Sequence, residues 1–436
     1  MPMRTAEMRS GDPRRRELMP LCKVWDADYP WDVRVEKVCR SLGREHEVHL
    51  VSRNTMRRST YERLDGLHVH RLPSVPWLPN GVNATMNFPA FFNPVWIRAI
   101  WQTVRRSRAR VLLVRDLPLA LTSLLVGRVC QIPVVLDMAE NYPAMIQDVW
   151  DSGRARTGDR LLRNSRLVRL VERIAVRKAD HILVVVDESR QRLMEMGVPS
   201  SKMTVVMNTP ELDRAERNWE SSGGFRSRRP EELVLMYLGI LEVARGLGTV
   251  ILAMREVRRQ LPRARLVVIG SGRDAGLLRQ QTQAAGVADC VEFRGWVEYR
   301  EALACLSSCD IGLVPHHATA NWHTTIPNKL FDYMSLGKAV IVSNAKPTER
   351  IVTEERCGLV FRDRDASALA EAIVALGDAS IREKCGSRGR EAVRRRYNWE
   401  SDERRLLGAI QHVTARNGFQ GQEQRNGPPT QAKERI

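Results

Sequence analysis

Short runs of β-branched and aliphatic residues alternate with helix-length stretches along most of the chain. In the first half these runs are LCKV, HEVHLVSR, VLLV, IPVVLDM, HILVVV and MTVVM. In the second half they are ELVLMYLG, RLVVIGSG, CVEFRGWV, DIGLVP and AVIVSN. Strands that alternate with helices are typical of parallel sheets covered by helices on both faces. The pattern therefore predicts an α/β protein with two consecutive doubly wound parallel-sheet domains.

Breaks in this alternation set the expected domain boundaries. Polar, aperiodic ends predict disordered tails, and a charged stretch rich in Gly and Ser predicts a linker. Near the C-terminus, amphipathic helices are expected over 365–377, 382–396 and 401–413, the last able to cross back to the first domain. The expected order is a basic tail (1–17), an N-terminal domain (18–208), a linker (209–230), a C-terminal domain (231–387), closing helices (388–414) and a second tail (415–436).

The stretch TTIPNKLFDYMSLGKAVIVSN (324–344) places a lysine in the first turn of a predicted helix. Pro327 suits the first helical position, and Gly337 is typical of a helix C-terminus. Lys329 then stands at the positive end of the helix dipole, where a cation is disfavoured by about 0.3–1 kcal/mol. Either its side chain carries the charge into water, or an anion is bound there by the lysine and the helix end together.

The charge balance of the 436-residue chain favours an acidic partner. Lys and Arg number 69 against 51 Asp and Glu, a formal net charge of +18. Such an excess favours contact with nucleic acid, an anionic membrane or a phosphorylated substrate. We find no zinc spacing, no RNP aromatic pattern and no GxxG clamp in a KH context, so no nucleic-acid partner is expected.

Cysteine usage and hydropathy indicate a reducing, cytoplasmic setting. The eight cysteines form no CxxC pair, and Cys305 and Cys309, one helical turn apart, are expected to be small core residues. Residues 1–17 lack the apolar core of a signal peptide, and no run of about 18 apolar residues is present. Any membrane association is therefore expected to be peripheral, on the inner face of the plasma membrane.

Two basic segments of the first half suggest such a surface. Residues 160–178 carry five arginines within one helical stripe (Arg163, Arg166, Arg169, Arg173, Arg177), with apolar residues on the other side (Leu167, Val168, Val171, Ile174, Ala175). Residues 86–101 concentrate large apolar side chains (Phe88, Phe91, Phe92, Trp96, Ile97, Trp101) just before TVRRSRARVLLVR. Aromatic anchors beside basic clusters are typical of proteins that lie on anionic bilayers. The alternatives are a solvated face on a packed helix and aromatics packed inward.

Three places in the second half are typical of phosphate binding. A strand ends at Gly239 and Arg245 stands just before a helix, while Gly270 and Gly272 follow another strand. The third place is the start of the predicted helix, where Lys329 stands. We interpret them as a site for a nucleoside diphosphate across strand ends, although a tight turn explains GxG equally well. Asp332, on the same helical face as Lys329, can accept from ribose hydroxyls or pair with the lysine.

The order and spacing of these motifs resemble those of a known enzyme family. The chain is similar to the retaining glycosyltransferases of the GT-B fold, family four (the group 1 type), over about residues 20–410. The motifs that carry the resemblance are GxxxxxRG at 239–246, RLVVIGSG at 265–272, VEFRGWV at 291–297, IPNKLFDYMSLGKAVIVSN, CGLVF at 357–361, DYPWDVRVEK, HEVHLVSR and YNWE.

The resemblance implies roles for individual residues. Arg245 and Lys329 would neutralise the donor diphosphate, and Asp332 stands where a glutamate usually binds ribose. Glu140, in LDMAENYP, matches a family acid near the acceptor, so the first domain would be the acceptor side. The implied nucleotide pocket contains Gly239, Arg245, Gly270, Gly272, Trp296, Val297, Thr324, Lys329, Leu330 and Asp332.

The chain departs from the family pattern at two positions. Many relatives have two glutamates eight residues apart, the first touching the donor sugar, and this chain has Thr324 at the earlier position. Many also carry a histidine where this chain has Ala139. These departures affect recognition of the donor sugar and residue roles in the first domain.

No metal and no other cofactor is expected. Two Asp-x-Asp pairs are present: Asp363/Asp365 is expected to cap a helix, and Asp26/Asp28 is expected to be structural or acceptor-side. The GT-B family generally uses basic residues in place of a metal. The loop before the predicted helix contains three histidines that could reach a donor or serve ordinary packing and surface roles: His316, His317 and His323.

Together these inferences predict transfer of a sugar from a UDP- or GDP-sugar donor to a hydroxyl of a glycan or polyprenyl-linked acceptor. Configuration would be retained, and the pathway would build cell-surface polysaccharide or glycolipid. A non-catalytic GT-B relative that binds nucleotide sugar and a sugar-nucleotide epimerase are the alternatives. A dinucleotide-dependent oxidoreductase fits less well, because the GxGxxG fingerprint with its distal acid is missing.

Overall fold

The computed structural model describes residues 18–74, 79–88, 91–151, 164–212 and 232–423. These residues form two sheets with helices between the strands. The strands of the first sheet are β1 (Met19–Val24), β2 (His46–Ser52), β3 (Tyr61–Leu64), β4 (Leu67–Arg71), β5 (Leu112–Arg115), β6 (Val134–Met138), β7 (His181–Val184) and β8 (Met203–Val205). Those of the second are β9 (Leu233–Leu238), β10 (Ala264–Ile269), β11 (Val291–Gly295), β12 (Ile311–Val314), β13 (Ala339–Ser343) and β14 (Gly358–Phe361).

The helices alternate with these strands. In the first half they are α1 (Val33–Gly43), α2 (Asn80–Met86), α3 (Pro94–Ser107), α4 (Ala120–Cys130), α5 (Tyr142–Asp151), α6 (Ser165–Lys178) and α7 (Asp187–Glu195). In the second half they are α8 (Leu247–Gln260), α9 (Ala275–Ala284), α10 (Tyr299–Ser307), α11 (Lys329–Ser335), α12 (Lys346–Glu355), α13 (Ala366–Ala375), α14 (Ala379–Arg395) and α15 (Trp399–Glu423).

The first sheet has eight strands in the order β3-β4-β2-β1-β5-β6-β7-β8. β1 pairs in parallel with β2 and β5, β2 with β4, and β7 with β8, while β3 pairs antiparallel with β4. The β3–β4 hairpin turns at Asp65-Gly66, both with positive φ. An Asp-Gly pair between two short strands is a strong hairpin signal, yet the sequence interpretation above missed it.

The second sheet has six strands in the order β11-β10-β9-β12-β13-β14, and every pairing in it is parallel. Alternate side chains of β9 point to opposite faces, as the pleat requires. Leu235 and Tyr237 join one buried apolar cluster, whereas Val234 and Met236 join the other. Both faces of the sheet are therefore covered by apolar packing, which confirms the doubly wound architecture.

The alternation of apolar runs and helix-length stretches along the sequence predicted the positions of these strands. Every run quoted above corresponds to a strand, and the three helices expected after residue 365 are present as α13, α14 and α15. α15 continues to Glu423, past the start of the expected tail at 415, although Gly418 and Gly421, both poor helix formers, lie in its last turns. The linker expected over 209–230 falls mainly outside the described residues, as does the tail at 1–17.

By its internal contacts the chain divides into two compact units, Met1–Val135 with His412–Ile436, and Leu136–Gln411. The domain boundaries drawn from the sequence stay a prediction. All eight cysteines are free thiols, and Cys305 and Cys309 lie in the second-unit core, as expected. Within the described part of the chain, no helix combines the length and apolarity needed to cross a membrane.

Gly312 in β12 gives a test of the second core. A Cβ built at this position would overlap the ring of the fully buried Tyr333. The Tyr333 hydroxyl donates to the Met236 carbonyl (3.0 Å) and accepts from the Leu238 N–H (3.1 Å), so the ring cannot move without breaking contacts to β9. Gly312→Ala should lower the free energy of unfolding by about 1–3 kcal/mol in urea denaturation.

Gly276→Ala is the matched control, because a Cβ built at Gly276 in α9 meets nothing within 4 Å. In a helix this change should stabilise by about 0.5–1 kcal/mol. Equal effects of the two substitutions would contradict the packing described for Tyr333.

Candidate functional site

The predicted site residues of the second unit follow the carboxyl ends of neighbouring parallel strands. Gly239 follows β9, Gly270 follows β10, and His316 comes two residues after β12. The chain order reverses between β9 and β12, because β10 and β11 lie on one side of β9 and β12 to β14 on the other. Such a switch point at the carboxyl ends of the strands is where doubly wound sheets bind ligands.

Lys329 is the first residue of α11, two positions after the predicted start at Pro327. The helix ends at Ser335, and Gly337 follows with φ of +65°, as its sequence position indicated. Lys329 is only 9% exposed, and its Nζ lies 3.9 Å from the centre of the Tyr237 ring. The side chain therefore does not carry its charge into water, which was one of the two alternatives for this lysine.

The Lys329 ammonium is buried without a hydrogen bond to any residue in the described part of the chain. Asp332, three residues on, makes no hydrogen bond to it, although its charge acts on the lysine. Burial and the neighbouring Arg245 guanidinium lower the pKa of Lys329 well below its ordinary value, and Asp332 opposes this shift. A buried cation that lacks a partner is costly, so the arrangement favours an anion at this point.

Gly239 leaves the space that the Lys329 ammonium occupies. A Cβ built at Gly239 would lie 2.9 Å from Nζ and 3.3 Å from Cε of Lys329, and its φ of +140° disfavours other residues. The Tyr237 hydroxyl donates to the Ile240 carbonyl over 2.8 Å, which holds the ring against the lysine. β9 and the residues that follow it therefore position the ammonium.

Arg245 ends a short 3₁₀ turn (Val243–Arg245) after β9. Its guanidinium carbon lies 4.8 Å from the centre of the Trp322 ring, a cation–π distance. Its Nη1 lies 3.2 Å from His316 Nε2, and the His316 and Trp322 rings are 4.2 Å apart. Arg245 is thereby fixed by two side chains from the loop between β12 and α11.

The contact with Arg245 defines the tautomer of His316. A guanidinium can only donate, so His316 Nε2 accepts and the ring proton is on Nδ1. Nδ1 is buried and has no hydrogen-bond partner among the described residues. Burial, followed by the charges of Lys329 and Arg245, lowers the pKa of His316 well below its ordinary value. His316 is therefore neutral and offers one N–H donor beside two basic groups.

The other pocket residues taken from the resemblance have varied surroundings. Side chains at Gly270 and Gly272 would overlap the backbone of Gly239 and Leu241, so these glycines let the loops after β9 and β10 pack closely. Trp296 is 71% exposed, and Val297 packs partly against the core. Leu330 is fully buried in the apolar cluster.

Thr324 is tied to residues that follow β6 and β7. Asn141 Nδ2 donates to Thr324 Oγ1 over 2.9 Å, and the Ser189 hydroxyl donates to the Thr324 carbonyl. Glu140, half-buried, immediately precedes Asn141. Thr324, which stands where the resemblance implies a glutamate, is thus held by the residue next to the predicted acceptor-side acid, an asparagine that sequence reasoning did not identify.

Two of the three histidines in this loop have structural partners. His317 Nδ1 lies 2.7 Å from Asp363 Oδ1, and His323 Nδ1 accepts from the Lys346 N–H over 3.2 Å. Asp365 accepts from the Ala368 N–H over 2.9 Å and caps α13, as expected. Asp363 is thus the partner of a histidine.

In the first unit, Asp28 accepts from both the N–H and the hydroxyl of Thr55, which supports a structural role. Burial and the nearby Asp116 raise the pKa of Asp26 to about 6, against the opposing effect of Arg115. The pair Asp26/Asp28 therefore has two different environments.

The two basic segments are each only partly as predicted. In α6, Val168, Val171 and Ala175 are buried, but Leu167 and Ile174 are exposed beside the arginines, as is Leu170 at 53%. The expectation that all five apolar residues pack away from the arginines was wrong for these two. Arg163 lies outside the described residues.

The aromatic segment likewise has both kinds of residue. Trp96 is fully buried and donates to the Asn87 carbonyl, whereas Phe92 (61% exposed) and Trp101 face solvent. Neither the membrane interpretation nor inward packing describes the whole segment.

Comparison with known families adds to this geometry. Residues 232–378 match the model described as glycosyl transferases group 1, and residues 32–209 match the glycosyl transferase 4-like domain. The glycogen synthase of Mycobacterium tuberculosis is 25% identical over 241 residues, 54% of this chain and 55% of that protein.

A second relative and a solved structure are similar as well. The GDP-mannose-dependent monoacylated alpha-(1-6)-phosphatidylinositol monomannoside mannosyltransferase of Corynebacterium glutamicum is 30% identical over 171 residues, 38% of this chain and 44% of that protein. The chain thus spans about half the length of the curated relatives it matches. Anabaena HepE, solved in complex with UDP, superimposes with a TM-score of 0.65 at 13% identity, over 91% of this chain and 100% of HepE. These neighbours confirm the GT-B fold.

Lys329→Met tests the buried cation directly. Methionine keeps the length and apolar stem but removes the charge, so the ligand-free variant should gain about 1–3 kcal/mol in free energy of unfolding at neutral pH. Because folding lowers the pKa of Lys329, the unfolded chain binds more protons between the folded and the ordinary pKa values. Wild-type stability from this group should therefore rise as pH increases through that window, and the variant should lack this rise in urea denaturation at several pH values.

Lys346→Met, at an exposed lysine of α12, is the control and should change stability little. A less stable Lys329→Met variant would show that the ammonium has a stabilising partner and would contradict the description above.

Proposed function

Because this chain has the GT-B fold and carries both glycosyl transferase domains, we propose that it is a glycosyltransferase that uses a nucleoside diphosphate sugar, UDP- or GDP-linked, and retains the configuration of the sugar. The observation that supports the donor class most strongly is the buried Lys329 ammonium beside Arg245. Two basic groups at the carboxyl ends of parallel strands match the two phosphates of such a donor.

In the proposed reaction the bond between the sugar C1 and the diphosphate oxygen breaks. The acceptor oxygen bonds to C1 on the same face, and its proton passes to the departing phosphate oxygen. Lys329 and Arg245 stabilise the negative charge that grows on the diphosphate, and the His316 Nδ1–H can donate a hydrogen bond to it. A charge-assisted contact to phosphate contributes about 1.5–3 kcal/mol. These basic groups do the work that a metal does in other transferases, so we propose no metal cofactor.

The remaining assignments follow the resemblance. Asp332 would bind the ribose hydroxyls, and Glu140 would lie on the acceptor side. Thr324 would stand near the donor sugar in place of a glutamate. Its hydroxyl is already engaged, because it accepts from Asn141 and donates toward two backbone carbonyls of the same loop, those of Ala320 and Asn321. Donor-sugar selection is therefore proposed to differ from that of relatives with the glutamate.

For the acceptor we propose a hydroxyl of a glycan or of a polyprenyl-linked intermediate in cell-surface polysaccharide or glycolipid assembly. The name of the Corynebacterium relative, a phosphatidylinositol mannoside mannosyltransferase, supports a lipid-linked class. The exposed leucines and arginines of α6 and the exposed Phe92 and Trp101 support peripheral contact with an anionic membrane, on its cytoplasmic side.

A non-catalytic relative that binds nucleotide sugar is the second candidate. The replacement of the family glutamate by Thr324, tied to Asn141 and Ser189, favours it. Donor binding without transfer or slow donor hydrolysis would identify this candidate.

A thermal-shift screen with UDP, GDP, ADP, NAD and the common sugar conjugates tests the donor class. A ligand at a hundred times its Kd should add about 2.7 kcal/mol of stability. We expect a raised Tm with UDP or GDP and their conjugates in the wild type and in Lys346→Met, and none in Lys329→Met or Arg245→Leu.

Transfer is then measured as nucleoside diphosphate release with glycan and polyprenyl-phosphate sugar acceptors. Retention is measured from the anomeric configuration of the product by NMR.

A Tm shift that survives in Lys329→Met would place the diphosphate elsewhere, and a shift with NAD alone would favour an oxidoreductase. A shift with UDP or GDP conjugates without release of the nucleotide under any acceptor would favour the non-catalytic candidate.

Liposome flotation tests the membrane contact. The wild type should bind vesicles with anionic lipid at low salt and release them at high salt, since exposed charge attraction is screened. Arg166→Gln/Arg173→Gln, both exposed on α6, should bind several-fold less than Lys384→Gln/Arg388→Gln, which removes the same charge from α14. Equal flotation of the two double variants, or none by the wild type, would exclude α6 as the contact.

A further inference from the structure

A cluster of histidines on the first sheet is not used by the proposed reaction. It lies where β2, β4 and β3 pair, with His49 opposite His68 and Tyr61 opposite His70 in register. Residues two apart along a strand point to the same face. The cluster therefore shares one face of the sheet and consists of Glu47, His49, Tyr61, His68 and His70.

Three of these side chains converge through their ligand atoms. His49 Nε2 lies 3.2 Å from Glu47 Oε1, and His68 Nε2 lies 3.4 Å from the same oxygen. The ligand atoms of the three residues all lie within 4.8 Å of one another. Ligands bound tetrahedrally to zinc at about 2.0–2.1 Å are separated by roughly 3.3–3.4 Å. The two separations from Glu47 are thus close to those around a bound ion, and the separation between the two histidine ligand atoms is within 4.8 Å.

The outer nitrogens of both histidines are also held. His49 Nδ1 lies 3.1 Å from His70 Nε2, and His68 Nδ1 lies 2.8 Å from the Tyr61 hydroxyl. Metal-binding histidines nearly always donate their other ring N–H to such a partner, which fixes ring orientation and tautomer. The two rings lie stacked, with centroids 4.5 Å apart, and both Nε2 atoms point toward the same Glu47 oxygen.

The partners of these outer nitrogens permit either tautomer. A tyrosine hydroxyl and a neutral imidazole nitrogen can each donate or accept, depending on proton position. Without an ion, both Nε2–H groups can donate to Glu47 while Nδ1 accepts from His70 and Tyr61. With an ion, the protons move to Nδ1 and donate to the same two partners, which frees both Nε2 lone pairs. No hydrogen bond to the outer nitrogens is lost between the two states.

We propose that Glu47, His49 and His68 form a site for a divalent transition-metal ion such as zinc, which two imidazoles and one carboxylate can bind. The Glu47 side chain is 41% exposed, so an ion can reach the site from solvent, and water can take the fourth position. The ion would join β2 to β4 beside the short edge strand β3. The site uses none of the residues proposed for the sugar transfer.

Zinc binding to the 436-residue chain tests this site. After treatment with EDTA and its removal, the protein is titrated with Zn²⁺ against a chromogenic chelator, and Tm is followed with and without Zn²⁺. We expect one ion per chain and a raised Tm. His68→Gln and Glu47→Gln, both at partly exposed side chains, should each weaken Zn²⁺ affinity at least tenfold and remove the Tm gain. His412→Gln, at an exposed histidine of α15, should bind like the wild type.

Replacement of Zn²⁺ by Co²⁺ gives a second measurement that does not depend on stability. Visible absorption typical of tetrahedral cobalt should be present in the wild type and the His412 variant and absent in the other two. The metal-free Tm of each variant shows that it is folded. Absence of stoichiometric Zn²⁺ binding by the wild type, or affinity unchanged in both folded site variants, would overturn the proposal.

Discussion

The buried ammonium of Lys329 is the constraint on which the candidate site depends. Its Nζ lies against the face of Tyr237 and beside Gly239, and neither contact is a hydrogen bond. Desolvation of such a charge opposes folding, so the surrounding core has to offset it. Leu330 and Phe331, the next two residues, are fully buried in the apolar cluster that does so. The proposed function of this residue conflicts with the stability of the fold, which is common where a protein keeps a group ready for a ligand.

The neighbouring elements are arranged around the same point. Gly246, with φ of +73°, lets the chain after Arg245 pass against the Pro315 carbonyl, where a side chain would overlap. That approach brings Arg245, which follows β9, to His316 and Trp322, which both follow β12. The close approach of the loops after β9 and β12 thus brings together a guanidinium, a neutral imidazole donor and an indole ring from residues about 70 positions apart in sequence.

The alternation of apolar runs was sufficient to predict both sheets and the doubly wound fold, because buried parallel strands are continuous in hydrophobicity. It missed β3 and β4, whose polar residues interrupt the apolar run, although Asp65-Gly66 carried the signal. Arg245 and the glycines could be found from their places after strands, and Lys329 from its place in the first turn of a predicted helix.

Other features of the site depend on contacts distant in sequence. In the sequence, Tyr237 looks like an ordinary strand residue and Trp322 like an ordinary loop residue. Asn141 lies 183 positions before Thr324. Only the folded chain brings them to the site. The burial of Lys329 was unpredictable for the same reason, since a lysine in a first turn is usually exposed.

The packing of Lys329 between Tyr237 and Gly239 also determines at which step the side chain loses its conformational entropy. An exposed lysine has several rotatable bonds. When a ligand orders such a side chain, the lost conformational entropy weakens binding by about 0.5–1.5 kcal/mol. Here the side chain is confined by the Tyr237 ring and by a backbone position without a Cβ, so ordering takes place during folding. In the proposed site, an anion near the end of β9 would meet an ammonium group whose position is already fixed. Its affinity would then reflect electrostatic attraction, with little binding free energy lost to ordering the side chain.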